Sequence, residues 1–177
     1  MKIHLPVTLA VLAFLLAGPA HAQQSSADTA DDAVIAATIK AALLDNKNTS
    51  GTRINVDSYQ GVVQLSGFAR SEGEKDHATK VAASVSGVKS VVNNVAVAPA
   101  TSMGTKLDDS LVTGKVKAAL MDAADVKSLQ INVETHDGVV QLAGFVASAA
   151  MRDKAGRVAA GVDGVKSVDN VLVVRPR

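Results

Sequence analysis

Gly61-Val62-Val63-Gln64-Leu65-Ser66-Gly67-Phe68 returns, 77 positions later, as Gly138-Val139-Val140-Gln141-Leu142-Ala143-Gly144-Phe145. In each copy a glycine follows a polar residue, apolar and polar residues alternate, and Gly-Phe closes the run. Alternation with period two is the pattern of a half-buried strand, and the leading glycine supplies the positive φ of a tight turn at no steric cost. The fixed offset extends well beyond the phrase. Aligned without a gap, residues 31–97 and 108–174 are identical at 31 of 67 positions. A period this long, written twice, reads as domain duplication and not as a solenoid.

Working outward within one copy, Asp31-Asp32 offers a helix start, with negative charge where the helix dipole favours it. Ile35, Ile39, Ala42 and Leu43 then recur at helical spacing. Ile54 and Val56 share a face with Val63 and Leu65, which predicts a hairpin through Tyr59-Gln60-Gly61. Ser71 caps a second helix with Ala78, Val81, Ala82 and Val85 inward, and Gly87 stands where a C-cap would end it. A last strand over 88–97 carries Val91, Val95 and Val97 on one face, with Asn93 of the same parity at a sheet end. The order is αββαβ, twice. A unit of 67 residues is near the lower end of what packs a core alone, so the repeats are expected to pack on one another.

The flanks differ in kind. Lys2, the apolar run Leu5–Ala17 and Ala20-His21-Ala22 form a secretory signal peptide over 1–22, cleaved after Ala22. The run of 13 residues is short against the roughly 20 that a bilayer span requires. Residues 23–30 read as a disordered leader, 31–97 as the first domain, 98–107 as a linker, 108–174 as the second domain and 175–177 as a tail. The chain has no cysteine, which removes thiol chemistry, disulfides and lipid attachment at a mature N-terminal cysteine. Of 18 basic and 17 acidic residues, Lys2 leaves with the leader, giving a net charge near zero. Without a basic footprint, and with only Tyr59, Phe68 and Phe145 to stack on bases, nucleic acid is disfavoured as a partner.

At this point the residues resemble a known family. Gly-Val-Val-x-Leu-x-Gly, followed by Val81–Asn93 and again by Val158–Asn170, is similar to the BON domain. A signal peptide ahead of two such domains resembles the osmotically inducible, tandem-BON group of Gram-negative periplasmic proteins. The resemblance covers essentially the whole mature chain. It implies an α+β fold, two tandem αββαβ domains, each with two helices on a three-stranded mixed sheet. It also implies a periplasmic envelope or osmotic-stress protein that binds phospholipid or envelope partners, with a chaperone-like holdase for exported or outer-membrane proteins as the alternative.

Polar residues present in both copies are where a duplicated chemistry would survive. Asp32/Asp109, Gln64/Gln141, Ser71/Ser148 and Asn93/Asn170 read as caps, turns and satisfied structural groups. His77 aligns with Lys154 and Tyr59 with His136, so no histidine is duplicated, and none sits in a metal-binding or triad pattern. No enzyme, cofactor or metal site follows. Gly61, Gly67, Gly87, Gly138, Gly144 and Gly164 are read as defining the fold. Contact with lipid or a partner is assigned instead to positions on surfaces of the second repeat that are more apolar or more cationic than those of the first. These are Lys106, Leu111 and Lys115 at the start of the second domain, and Val139, Val171 and Val173 on its outer sheet face. That sheet face is either an interface or is buried against the first repeat.

Overall fold

The computed structural model describes residues 21–47, 49, 53–124, 126 and 130–175, with side chains from residue 31 onward. The signal peptide lies almost wholly outside the described residues. Each repeat is a helix, a hairpin, a second helix and a broken last strand. The first comprises α1 (His21–Asp45), β1 (Ile54–Tyr59), β2 (Val62–Ala69), α2 (Glu72–Ala83), β3 (Ser90–Asn93) and β4 (Ala96–Val97). The second comprises α3 (Met103–Asp122), β5 (Asn132–His136), β6 (Val139–Ala143), β7 (Phe145–Val146), α4 (Ala149–Ala160), β8 (Ser167–Asn170) and β9 (Val173–Val174).

The hairpins form as the spacing predicts. Strand β1 runs antiparallel to β2 with Tyr59 opposite Val62, and β5 pairs with β6 with His136 opposite Val139. The two-residue loops place Gln60 at φ 53° and Gly61 at φ 79°, and Asp137 at 51° and Gly138 at 77°. Two central residues of positive φ are the twist-matched hairpin turn. The central strand of each repeat then takes the last strand in parallel, making a mixed sheet. Helices α1 and α2 cover one face of the first sheet. Ile35, Ile39 and Leu43 bury against Ile54, Val63, Leu65, Ala78, Ala82 and Val95. Val112, Val116 and Leu120 do the same in the second repeat.

Several expectations are corrected. Helix α1 begins at His21, so residues 23–30 are helical and not a disordered leader; their backbone continues a run that Ala22, Ala27 and Ala30 favour intrinsically. Helix α3 begins at Met103, within the expected linker, because the Ser102 hydroxyl accepts the Thr105 amide at 3.2 Å and caps it there. Asp32 and Asp109 therefore lie inside helices and are not caps. Gly87 is not the C-cap of α2; Ser84 is, and Gly87 is the third residue of the turn Val85–Val88. The last strand is two short pieces. Asn93 accepts the Val95 amide at 2.9 Å and donates to the Lys75 carbonyl at 2.9 Å, pinning the break to α2. Val95 lies in the core as its parity with Val91 predicts, whereas Val97 is exposed.

Candidate functional site

The sheet faces turned away from the helices meet each other. Gln64 and Gln141 are 0% and 2% exposed and lie buried at this seam. Gln64 Oε1 accepts the Gly144 amide at 2.8 Å, and Gln141 Oε1 accepts the Gly67 amide at 2.6 Å. Gln64 Nε2 donates to the Val171 carbonyl at 2.7 Å, and Gln141 Nε2 to the Asn94 carbonyl at 3.0 Å. The remaining amide protons go to Asn94 Oδ1 and Asp169 Oδ2 within each repeat, so both glutamines are fully bonded. Around them Asn55 donates to Glu134, and Asn132 donates to both oxygens of Asp57 at 2.8 and 2.7 Å. Tyr59 packs on Phe145 and His136 on Phe68, with ring centroids 5.6 and 5.0 Å apart. Every contact that crosses between the repeats maps onto its partner by the offset of 77; the bonds within a repeat do not, since Asn94 aligns with Val171 and Asp169 with Val92. The seam is an isologous, pseudo-twofold interface inside one chain, of the kind two identical subunits form.

Gly67 and Gly144, whose amides bond across the seam, also sit against backbone of their own repeats. At Gly67, φ is 99° and a Cβ would sit 2.1 Å from the Arg53 carbonyl; at Gly144, φ is 120° and a Cβ would sit 2.3 Å from the Gln130 carbonyl. The phenylalanines that follow pack at the seam and belong to the core cluster of neither repeat.

Two aspartates carry another duplicated device. Asp32 accepts from Ser58 Oγ at 2.7 Å, the Gln60 amide at 2.6 Å and the Gly61 amide at 2.9 Å. Asp109 accepts from the Asp137 and Gly138 amides, both at 2.9 Å. Each carboxylate thus clamps the first helix of its repeat to the hairpin turn. Burial alone would raise the Asp32 pKa, but bonds from Gly61, Ser58 and Gln60 and the Lys89 charge outweigh it and hold the carboxyl below its ordinary value. At Asp57 burial wins over the Asn132 bond and raises the carboxyl.

The expected contact residues separate into two places. Val139 and Val171 are half-buried at the seam, and Val173 lies in β9 beside Phe145. Of the two alternatives for this sheet face, the structure takes burial against the first repeat. Leu111 and Lys115 instead stand on the outer face of α3. Leu111 is 66% exposed, and the sequence reading missed its neighbours Met103 at 72% and Leu107 at 65%. Positions 103, 107 and 111 follow the i, i+4, i+8 spacing of one helix face, a signal available once the helix is started at residue 103. The aligned positions on α1 are Ser26, Ala30 and Val34, so the stripe is strong only in the second repeat. Lys115 Nζ meets Asp163 at 3.2 Å in an exposed pair, while Lys106 faces the seam end of α3. Among the described residues no helix is long and apolar enough to cross a membrane, and no three His, Asp or Glu side chains group to hold a metal.

The family model for the BON domain matches residues 31–99 and again 108–176. The chain belongs to the BON-domain family. It is 45% identical, over 80% of its length and 72% of the relative, to osmotically-inducible protein Y of Escherichia coli. The chain is also 34% identical to the 21 kDa hemolysin of Actinobacillus pleuropneumoniae and 34% to the outer membrane lipoprotein DolP of Haemophilus influenzae. Both matches cover 68% of this chain, which spans about three fifths of those two proteins (61% and 62%).

Proposed function

We propose that this tandem BON protein is a non-enzymatic periplasmic component of the envelope response to osmotic stress. In this reading it attaches weakly and peripherally to anionic phospholipid through the outer face of α3. One observation carries the reading: Met103, Leu107 and Leu111 form a continuous exposed apolar stripe on a helix whose inner face is already satisfied by the core. Among the described residues these three large apolar side chains stay exposed, and a helix lying in a bilayer interface uses that arrangement. Full burial of each side chain contributes roughly 1.5–3 kcal/mol, and each nearby cation about 1 kcal/mol at an anionic surface. Partial burial of three residues beside Lys106 gives reversible attachment, not anchoring. The relatives' names, one osmotically inducible and one an outer membrane lipoprotein, agree with an envelope setting.

Co-sedimentation with phosphatidylglycerol-containing vesicles at low ionic strength tests this. The native protein should pellet with the vesicles, and a Leu107→Glu, Leu111→Glu variant of unchanged melting temperature should stay in solution. Equal partition of the two proteins, or none by either, would remove α3 as the contact.

A further inference from the structure

Where the linker leaves the first repeat, the seam opens into a groove of about 740 Å³ between the domains. Four cations line it: Arg53 and Arg70 from the first repeat, Lys106 and Lys117 from α3. Two carboxylates also line it, and both are already engaged. Asp109 accepts the two turn amides, and Glu134 accepts from Asn55. Four cations less two carboxylates leaves a formal excess of +2. None of the four cationic side chains makes a hydrogen bond or ion pair among the described residues.

This concentration of charge is specific to one side of the molecule. Applying the offset of 77 carries Arg53, Arg70 and Lys106 to Gln130, Ala147 and Thr29. The fourth, Lys117, corresponds to Lys40, whose ammonium donates to the Ile54 carbonyl at 2.5 Å. On that opposite side Arg175 covers the Tyr59 ring at 5.0 Å. The two ends of the pseudo-twofold seam thus differ in charge, with cations gathered around a concavity at one end alone. Like charges held together in a cleft repel, and an anion entering it relieves the repulsion and gains charge-assisted bonds from the arginine forks.

The geometry points to this inter-domain groove as a binding site for a phosphate-bearing anion, held by Arg53, Arg70, Lys106 and Lys117. A phosphomonoester carries about −1.5 to −2 at pH 7, which matches the excess charge of the groove, and the single charge of a phosphodiester headgroup offsets about half of it. The phosphate comes from a lipid headgroup or from a free phosphorylated solute. The groove face of α3, with Lys106, Ser110 and Lys117, adjoins the face bearing Leu107 and Leu111, so a headgroup could occupy the groove while the stripe meets the bilayer. That lipid form rests on the membrane reading above; the soluble form does not.

The test is titration of the full-length mature protein with inorganic phosphate and with sn-glycerol 3-phosphate, followed by amide chemical shifts. Saturable changes confined to groove amides, with affinity at least about tenfold weaker in an Arg53→Gln, Arg70→Gln variant, are expected. A Lys106→Gln, Lys117→Gln variant should weaken binding in the same way. Changes that do not saturate, that spread over unrelated lysines, or that survive both double variants would overturn the groove. Vesicles supply the second arm. If the Leu107→Glu, Leu111→Glu variant binds glycerol phosphate normally, the groove stands whatever happens to sedimentation, and a vesicle-negative native protein assigns the soluble source. Vesicle binding that is lost in both the arginine and the leucine variants assigns the lipid headgroup.

Discussion

Gln64 and Gln141 hold the two halves of the chain together by exchanging the same bond, each side-chain carbonyl accepting the amide of the other repeat's Gly-Phe glycine at 2.8 and 2.6 Å. Both amide groups are buried, so truncating either glutamine leaves a glycine N–H without water or partner. Such an orphan costs about 1–3 kcal/mol beyond the bond itself. Gln64→Ala and Gln141→Ala should each lower stability by that order. Because they share one network, the double variant should show non-additive coupling in chemical denaturation. Small-angle scattering of the double variant should report a larger radius of gyration as the repeats part.

Gly67 and Gly114 predict opposite outcomes for the same substitution. Gly67→Ala forces a side chain into positive φ and 2.1 Å from a carbonyl oxygen, while nothing lies within 4 Å of a Cβ at Gly114. Thermal melts should show Gly67→Ala losing on the order of 3 kcal/mol or failing to fold, through backbone strain and a clash together. Gly114→Ala, on exposed helix, should gain roughly 0.5–1 kcal/mol.

The clamp from helix to hairpin turn predicts a further loss. Asp32→Ala removes a carboxylate that accepts three bonds, two from turn amides. Hydrogen bonds to a charged group contribute about 1.5–3 kcal/mol each in favourable cases, less in sum because water replaces some of them. A loss near 2–3 kcal/mol in urea denaturation is expected, with Asp32→Asn milder.

Acid titration of stability separates two aspartates by sign. The folded-state pKa of Asp32 lies below 3.8, so its contribution is present above that value and is lost as pH falls through the lower, folded one. The folded-state pKa of Asp57 lies above 3.8, so the folded protein binds its proton more tightly than the unfolded chain does. Its ionisation therefore lowers stability as pH rises from 3.8 through the raised value. Replacing Asp57 by Asn should flatten the stability curve above 3.8, and replacing Asp32 by Asn should flatten it below. Urea midpoints measured from below pH 3.8 up into the mildly acid range read both.

Much of each domain was legible because its signals are local. Gln60-Gly61 makes a two-residue turn, and Ile35, Ile39 and Leu43 face the core by spacing alone. What failed depended on partners distant in sequence. Asp32 looks like a helix cap because a carboxylate at a helix start and one reaching across to a turn have the same local sequence. Parity placed Gln64 on the face away from the helices, but could not say that the face is covered by its own duplicate. The conspicuous glycine-valine phrase thus serves the fold twice, within each domain and between them. On α3, Leu111 and Lys115 stood out by comparison with the first repeat. Met103 and Leu107 did not, because the helix was started five residues late at Asp108.

The absence of cysteine makes the most direct test of the membrane reading simple, since any single introduced cysteine is unique. An environment-sensitive dye placed by Leu107→Cys or Leu111→Cys should shift its emission to the blue on mixing with phosphatidylglycerol vesicles. The same dye at Val34→Cys, the aligned and 64% exposed position of the first repeat, should not. No shift at 107 and 111, or an equal shift at 34, would contradict attachment through α3.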